Sequence, residues 1–247
     1  MVAERAEEQG ARRGLRIGRI LGVPVYVSAA WLVMAVLLIA IYAPVVQGRL
    51  AGISVSRAYL VAAAFVGLLL ASVLAHELGH AVTAKRLGIR VRAMTLWMLG
   101  GYTELEREPS TPAGEFLVAV AGPAVSLALG AAGIAAAVVT PAGGTAHELA
   151  VQFALSNVLV GVFNLLPGLP LDGGSLVRAG LWRLTGDRHG ATIASGWTGR
   201  AVAVLVLAGG VALSTTRSST GVLLTIVVGL FLWMGASRAI RAGRLAR

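Results

Sequence analysis

The chain has 247 residues, of which 57% are hydrophobic and 13% are charged, and its mean hydropathy is +0.81. Soluble domains carry about 25% charged residues, so these values exclude an ordinary water-soluble domain and indicate a protein that spans a lipid bilayer. The absence of cysteine excludes disulfides, thiolate metal sites and cysteine nucleophiles. The net charge of +10 comes from basic residues at the edges of apolar segments, which indicates membrane topology rather than nucleic-acid binding.

Six apolar segments follow one another along the chain. A membrane-spanning helix needs about 20 mostly apolar residues, and the last three segments are the shortest. In chain order they cover residues 25–46, 59–84, 116–139, 149–166, 198–214 and 221–236. We therefore predict an all-α polytopic membrane protein with about six transmembrane helices.

The distribution of basic residues predicts the orientation of these helices. If the N-terminus is cytoplasmic, 18 of the 21 Lys and Arg residues lie inside, and only Arg49, Arg57 and Arg217 lie outside. Cytoplasmic loops of membrane proteins carry such an excess of positive charge. We expect a multi-pass protein of the plasma membrane with both termini in the cytoplasm.

Two apolar stretches do not fit plain helices. Residues 93–103 combine β-forming residues with Gly100 and Gly101, which predicts a short re-entrant β-hairpin. Residues 164–174, NLLPGLPLDGG, contain two prolines and three glycines that break the fourth helix. Irregular backbone at membrane depth is tolerated only where protein covers it or where it lines a wet cavity. Both stretches therefore indicate an internal site.

The strongest chemical signal is HELGH at residues 76–80, near the end of the second apolar segment. On a helix, His76 and His80 differ by about 40° of rotation and can share one metal ion. Glu77 is placed to contact a metal-bound water, whose pKa zinc lowers to about 7. Ionisable residues within a membrane segment are costly and usually functional. We therefore predict a catalytic metal site rather than a polar cluster at the membrane surface.

A catalytic zinc site needs a third protein ligand. Asp172 is our choice, because it lies among apolar residues and at the membrane level of His76 and His80 in the six-span topology. Its alternative role is an N-cap of the segment 173–184. The other candidates lie in more polar segments between the apolar ones; they are His147, His189, Glu104, Glu106 and Glu108.

HELGH followed far downstream by NxxPxxPxDG, here residues 164–173, resembles the site-2 protease family of intramembrane zinc metalloproteases, in its bacterial form. The resemblance covers residues 14–184 and includes AGPAVS at residues 121–126. It implies that His76, His80 and Asp172 bind one zinc ion per chain. It also implies that Glu77 is the general base.

The same resemblance implies roles for further residues. Asn164 is expected near the substrate backbone or the developing oxyanion, with capping of the preceding helix as its alternative role. Gly100 and Gly101 belong to a β-element thought to pair with extended substrate. Together with Asn164 and Pro170, they are the expected substrate-binding residues.

We predict that the chain has three parts. Residues 1–24 form a cytoplasmic N-terminal segment, residues 25–184 the catalytic membrane core, and residues 185–247 additional transmembrane helices with a basic cytoplasmic C-terminus. The implied reaction is hydrolysis of a peptide bond in or near a transmembrane helix, with the active site towards the cytoplasmic side. The implied partners are the lipid bilayer and a single-span membrane protein, such as an anti-sigma factor or a transcription-factor precursor, and no nucleic acid.

The alternative function is a metal-ion transporter or a metal-sensing membrane protein. Its His and Asp cluster would be a transit site, and polar groups would line a path across the whole bilayer. The first, third, fifth and sixth apolar segments hold almost no ionisable residues in their centres. This pattern favours a fixed catalytic site.

Overall fold

The computed structural model describes residues 14–98, 100–214 and 219–246, and within these ranges the chain forms one small sheet and seven helices. The strands are β1 (Gly14–Ile20), β2 (Val23–Ser28), β3 (Val91–Trp97) and β4 (Gly100–Leu105). The helices are α1 (Ala29–Arg49), α2 (Val55–Arg86), α3 (Pro112–Val139), α4 (Thr145–Asn164), α5 (Asp172–Thr185), α6 (Arg188–Ser214) and α7 (Ser219–Leu245).

Six of these helices, all except α5, are long and apolar enough to cross a membrane. The prediction of a polytopic membrane protein with six spans is therefore confirmed. The predicted ends of a helix differ from the observed ends where the helix continues beyond its apolar residues into polar ones. Helix α6 begins at Arg188 rather than near Thr198, because its first turns are polar and hydropathy detects only the apolar part.

The sheet has the strand order β1-β2-β3-β4. Strands β3 and β4 form an antiparallel hairpin in which Met94 lies opposite Thr103, which confirms the predicted hairpin; its re-entrant position stays a prediction. Strand β2 pairs parallel to β3, with Val25 opposite Met94. The β1–β2 hairpin was not predicted. Our first helix wrongly included residues 25–28, which belong to β2.

One face of the sheet packs on the C-terminal half of α2. Val23, Val25 and Met94 from the sheet form a buried cluster with Ala81 of α2. The ammonium group of Lys85 also donates to the carbonyl of Leu21, at 2.7 Å. The sheet is thus fixed to the part of α2 that carries HELGH.

Helix α2 has local signals at both ends. Its N-cap Ser54 accepts a hydrogen bond from the backbone N–H of Arg57. Lys85 and Arg86 lie in the last turn, where positive charge favours the helix dipole. Gly88 follows with φ of 72°, a left-handed conformation that ends helices. The 32 residues between these signals contain no proline, so the helix passes through HELGH uninterrupted.

The contacts divide the chain into two compact units. The first comprises the described residues up to Glu108 together with Ala124–Gly161, and the second comprises Pro109–Pro123 and the described residues from Val162 onward. In the second unit, Leu171 packs with Val202 of α6 and Leu232 of α7. The division of the chain at residues 24 and 184 stays a prediction.

Candidate active site

Helix α2 presents His76, Glu77 and His80, which are 5%, 5% and 7% exposed. The two imidazole rings lie edge to face, with centroids 4.9 Å apart. One helical turn separates the two histidines, so their side chains leave the helix on the same side. The predicted convergence of the two histidines is therefore present in the first unit.

Ser126 of α3 orients the first histidine. Its Oγ lies 2.9 Å from Nδ1 of His76, and Ser126 is 1% exposed. A hydrogen bond at Nδ1 fixes the orientation of the ring and leaves Nε2 available for a metal ion. Ser126 lies within AGPAVS, but no sequence pattern indicated that it contacts His76.

Strand β4 contacts the glutamate of HELGH. The Thr103 hydroxyl lies 2.6 Å from Oε2 of Glu77 and 3.2 Å from its backbone carbonyl. Gly101 lies so close that a Cβ at this position would collide with the Glu77 side chain. Gly101, which we predicted to bind substrate, therefore lies directly against the Glu77 side chain.

A second buried polar contact lies one turn before His76. Asn157 of α4 donates through Nδ2 to Oγ of Ser72, at 3.0 Å, and also to the carbonyl of Phe153. Asn157 is 1% exposed and Ser72 is 5% exposed. Buried amides and hydroxyls need such partners, because an unpaired polar group in an apolar interior is costly. In the sequence, Ser72 and Asn157 were distinguished only as polar residues within apolar segments.

The second unit contains the predicted site residues Asn164, Pro170 and Asp172, whereas Gly100 lies beside Gly101 on β4. Asp172 is the first residue of α5, whose N-cap is Leu171, without a side-chain cap. The alternative role of Asp172 as the N-cap is therefore wrong. Asn164 is the last residue of α4. Pro170 follows a cis peptide bond and lies against Gly235 of α7.

Three of the predicted residues could hold a metal ion together. His76, His80 and Asp172 each offer one ligand atom, and these atoms all lie within 4.8 Å of one another. Two imidazoles and one carboxylate are a donor set that zinc accepts, with a further position left for water or substrate. In the part of the chain that the structure describes, the other candidates do not join this group; they are His147, His189, Glu104, Glu106 and Glu108.

Comparison with known proteins decides the family. Residues 64–152 and 139–208 match the family described as Peptidase family M50, and this range includes HELGH and NxxPxxPxDG. The chain belongs to peptidase family M50. Membership favours the predicted metallopeptidase over the alternative of a metal transporter or sensor.

The M50 relatives include two bacterial proteins. The chain is 41% identical over 229 residues to the putative zinc metalloprotease Rip3 of Mycobacterium tuberculosis, covering 91% of this chain and 58% of the relative. It is 33% identical over 235 residues to a putative zinc metalloprotease of Synechocystis, covering 94% of this chain and 61% of the relative. The chain thus spans about three fifths of the length of these relatives.

A solved structure has a similar fold. The chain superposes on the site-2 protease from Methanocaldococcus jannaschii with a TM-score of 0.65 and 26% identity, covering 92% of this chain and 95% of that one. The resemblance to site-2 proteases that the two motifs indicated is therefore confirmed, and so is the arrangement of six apolar helices with a small sheet.

Proposed function

We propose that this chain is an intramembrane zinc metalloprotease that hydrolyses a peptide bond in or near the transmembrane helix of a membrane protein. The observation that carries the proposal is that the ligand atoms of His76, His80 and Asp172 all lie within 4.8 Å of one another. The buried Glu77 follows His76 directly in the sequence. Membership of peptidase family M50 supports peptide-bond hydrolysis as the reaction.

Each residue has a distinct task in the proposed reaction. His76, His80 and Asp172 would hold one zinc ion, which supplies Lewis acidity that activates water near neutral pH and polarises a carbonyl. Ser126 holds the His76 ring through Nδ1. Glu77 accepts the proton that the attacking water loses and passes it to the leaving amine. Asn164 donates a hydrogen bond to the oxyanion or the substrate backbone.

The substrate in this proposal is a single-span membrane protein, with an anti-sigma factor or a transcription-factor precursor as the expected type. A helical substrate must unwind before its peptide bond becomes accessible. An extended segment can then pair with the edge of a sheet, and β4, which carries Gly100 and Gly101, is a terminal strand of the sheet. Pro170 completes the proposed substrate-binding set.

The proposed orientation follows from charge. With both termini in the cytoplasm, 18 of the 21 basic residues lie on the cytoplasmic side. Helix α2 then runs from outside to inside, which places HELGH in its cytoplasmic half. The active site would receive water from the cytoplasm, and the host membrane would be the plasma membrane.

The experiment is cleavage of a co-expressed single-span substrate by the wild type and by Glu77→Gln, with zinc measured in both purified proteins. We expect Glu77→Gln to lower cleavage by at least about 10²-fold, because the base is lost, while about one zinc per chain remains. The matched control is Glu106→Gln, at a side chain that is 45% exposed, which should cleave like the wild type.

Two results would contradict the proposal. Undiminished cleavage by Glu77→Gln would exclude Glu77 as the base. Metal binding without cleavage of any of several substrates by the wild type would favour a transporter or sensor, and metal flux would then be measured.

A further inference from the structure

Strand β4 contacts Glu77 at two positions. Thr103 places its hydroxyl 2.6 Å from Oε2 of Glu77, a length typical of a hydroxyl donating to a carboxylate. Gly101, two residues earlier, lies against the same side chain. Residues two apart on a strand point to the same face of the sheet. One face of β4 therefore lies against the Glu77 side chain at both Gly101 and Thr103.

We propose that Thr103 is a positioning residue for Glu77. A glutamate side chain has three rotatable bonds, and a general base acts only when its oxygen lies within hydrogen-bond reach of the proton it removes. An ionised carboxylate only accepts hydrogen bonds, and the Thr103 hydroxyl can donate one. The backbone of Thr103 is fixed by the pairing of β4 with β3, in which Met94 lies opposite Thr103. Thr103 engages Oε2, so Oε1 does not take part in this bond.

Gly101 has a separate reason to be glycine in this arrangement. A Cβ at residue 101 would meet Cγ, Cδ and Oε1 of Glu77. An alanine there must displace the carboxylate, whether or not a substrate strand pairs with β4. Thr103 thus holds the glutamate in place, and Gly101 provides the space that this position requires.

The test measures kcat, KM and bound zinc for Thr103→Val, Thr103→Ser and Thr95→Val, and it rests on the proposed protease function. Thr103→Val keeps the shape and removes the donor, so kcat should fall about tenfold or more, with KM and zinc content unchanged. Thr103→Ser keeps the hydroxyl and should recover most of the activity. Thr95 of β3 lies opposite Tyr102, hence on the other face, and Thr95→Val should match the wild type.

A second measurement does not depend on activity. Thermal unfolding in detergent is followed for Thr103→Val, Glu77→Ala and the double variant. Residues in direct contact give non-additive changes, so Thr103→Val should lower the melting temperature of the wild type by more than it lowers that of Glu77→Ala. If Thr103→Val lowers the melting temperature equally in the wild type and in Glu77→Ala, the proposal is overturned. This comparison replaces the kinetic test if Thr103→Val binds too little zinc for kcat to be measured.

The failure of this inference differs from the failure of the proposed function. If the wild type cleaves, Glu77→Gln does not, and Thr103→Val with full zinc keeps the wild-type kcat, the role of Thr103 is wrong and the protease stands. If Glu77→Gln cleaves like the wild type, the proposed base is wrong, and the positioning role of Thr103 falls with it.

Discussion

At the level of residues, HELGH is supported by a hydrogen bond between Ser126 of α3 and His76 and by one from Thr103 of β4 to Glu77. HELGH is local, since five consecutive positions on a helix fix the relation of His76 to His80. Ser126 is 50 residues from His76, and Thr103 is 26 residues from Glu77. Their approach depends on how α3 and β4 pack on α2, and a serine or a threonine carries no spacing signal of its own.

Replacement of Ser126 tests the support of His76. We expect Ser126→Ala to weaken zinc binding by about 10–100-fold, because His76 loses the hydrogen-bond partner that fixes the orientation of its ring. The change is measured by titration of the purified protein with zinc against a chelator of known affinity. Because Ser126 is 1% exposed, water cannot easily replace the lost oxygen.

The control for this variant is Ser156→Ala. Ser156 lies on α4 and donates to the carbonyl of Phe153 in its own helix, so its loss should leave zinc affinity unchanged. Equal affinities for the wild type and Ser126→Ala would show that His76 is oriented without this serine.

At the level of elements, a largely buried ion-pair network joins α5 to the start of α3 and the start of α6. Glu115, in the first turn of α3, is 3% exposed and accepts from Nε of Arg178 on α5 at 2.5 Å. Arg188 at the start of α6 lies 3.7 Å from the other carboxylate oxygen and stacks over Trp182 of α5. Arg178 lies on the same helix as Asp172, so the network holds the helix that begins with the proposed third ligand.

Replacement of Arg178 tests this network. We expect Arg178→Met to lower the free energy of unfolding by about 3 kcal/mol, because Glu115 is left buried with a weaker partner. The measurement is unfolding in detergent micelles. The matched control is Arg90→Met, since Arg90 and Glu106 form a pair at 4.0 Å with 87% and 45% exposure, and surface pairs contribute about 0–1 kcal/mol. Similar losses for both variants would contradict a stabilising role for the buried network.

Of the four strands, β3 and β4 could be predicted from the sequence, whereas β1 and β2 could not. Strand β2, VPVYVS, runs directly into the apolar helix α1, and a short apolar run does not distinguish strand from helix. Its antiparallel pairing with β1 and its parallel pairing with β3, about 70 residues away, make it a strand. Length and hydropathy, in contrast, were sufficient for the six long helices, because the bilayer imposes one length on all of them.

For the whole molecule, the proposed orientation depends on charge asymmetry alone. Charge sets topology through the cost of moving Lys and Arg across the membrane, and it acts through short loops near the ends of the spans. Two such loops have opposite predicted positions. Ser110 lies between β4 and α3 on the predicted inside, and Ala142 lies between α3 and α4 on the predicted outside; both are exposed.

Single cysteines in these two loops test the orientation, because the chain has no cysteine of its own. We expect Ala142→Cys to react with a membrane-impermeant maleimide in intact cells, and Ser110→Cys to react only after permeabilisation. The opposite pattern would place the termini outside, and HELGH in the outer half of α2. It would leave the metal ligands and the base as proposed, since these depend on contacts within the protein, but the water for hydrolysis would then enter from the outer side.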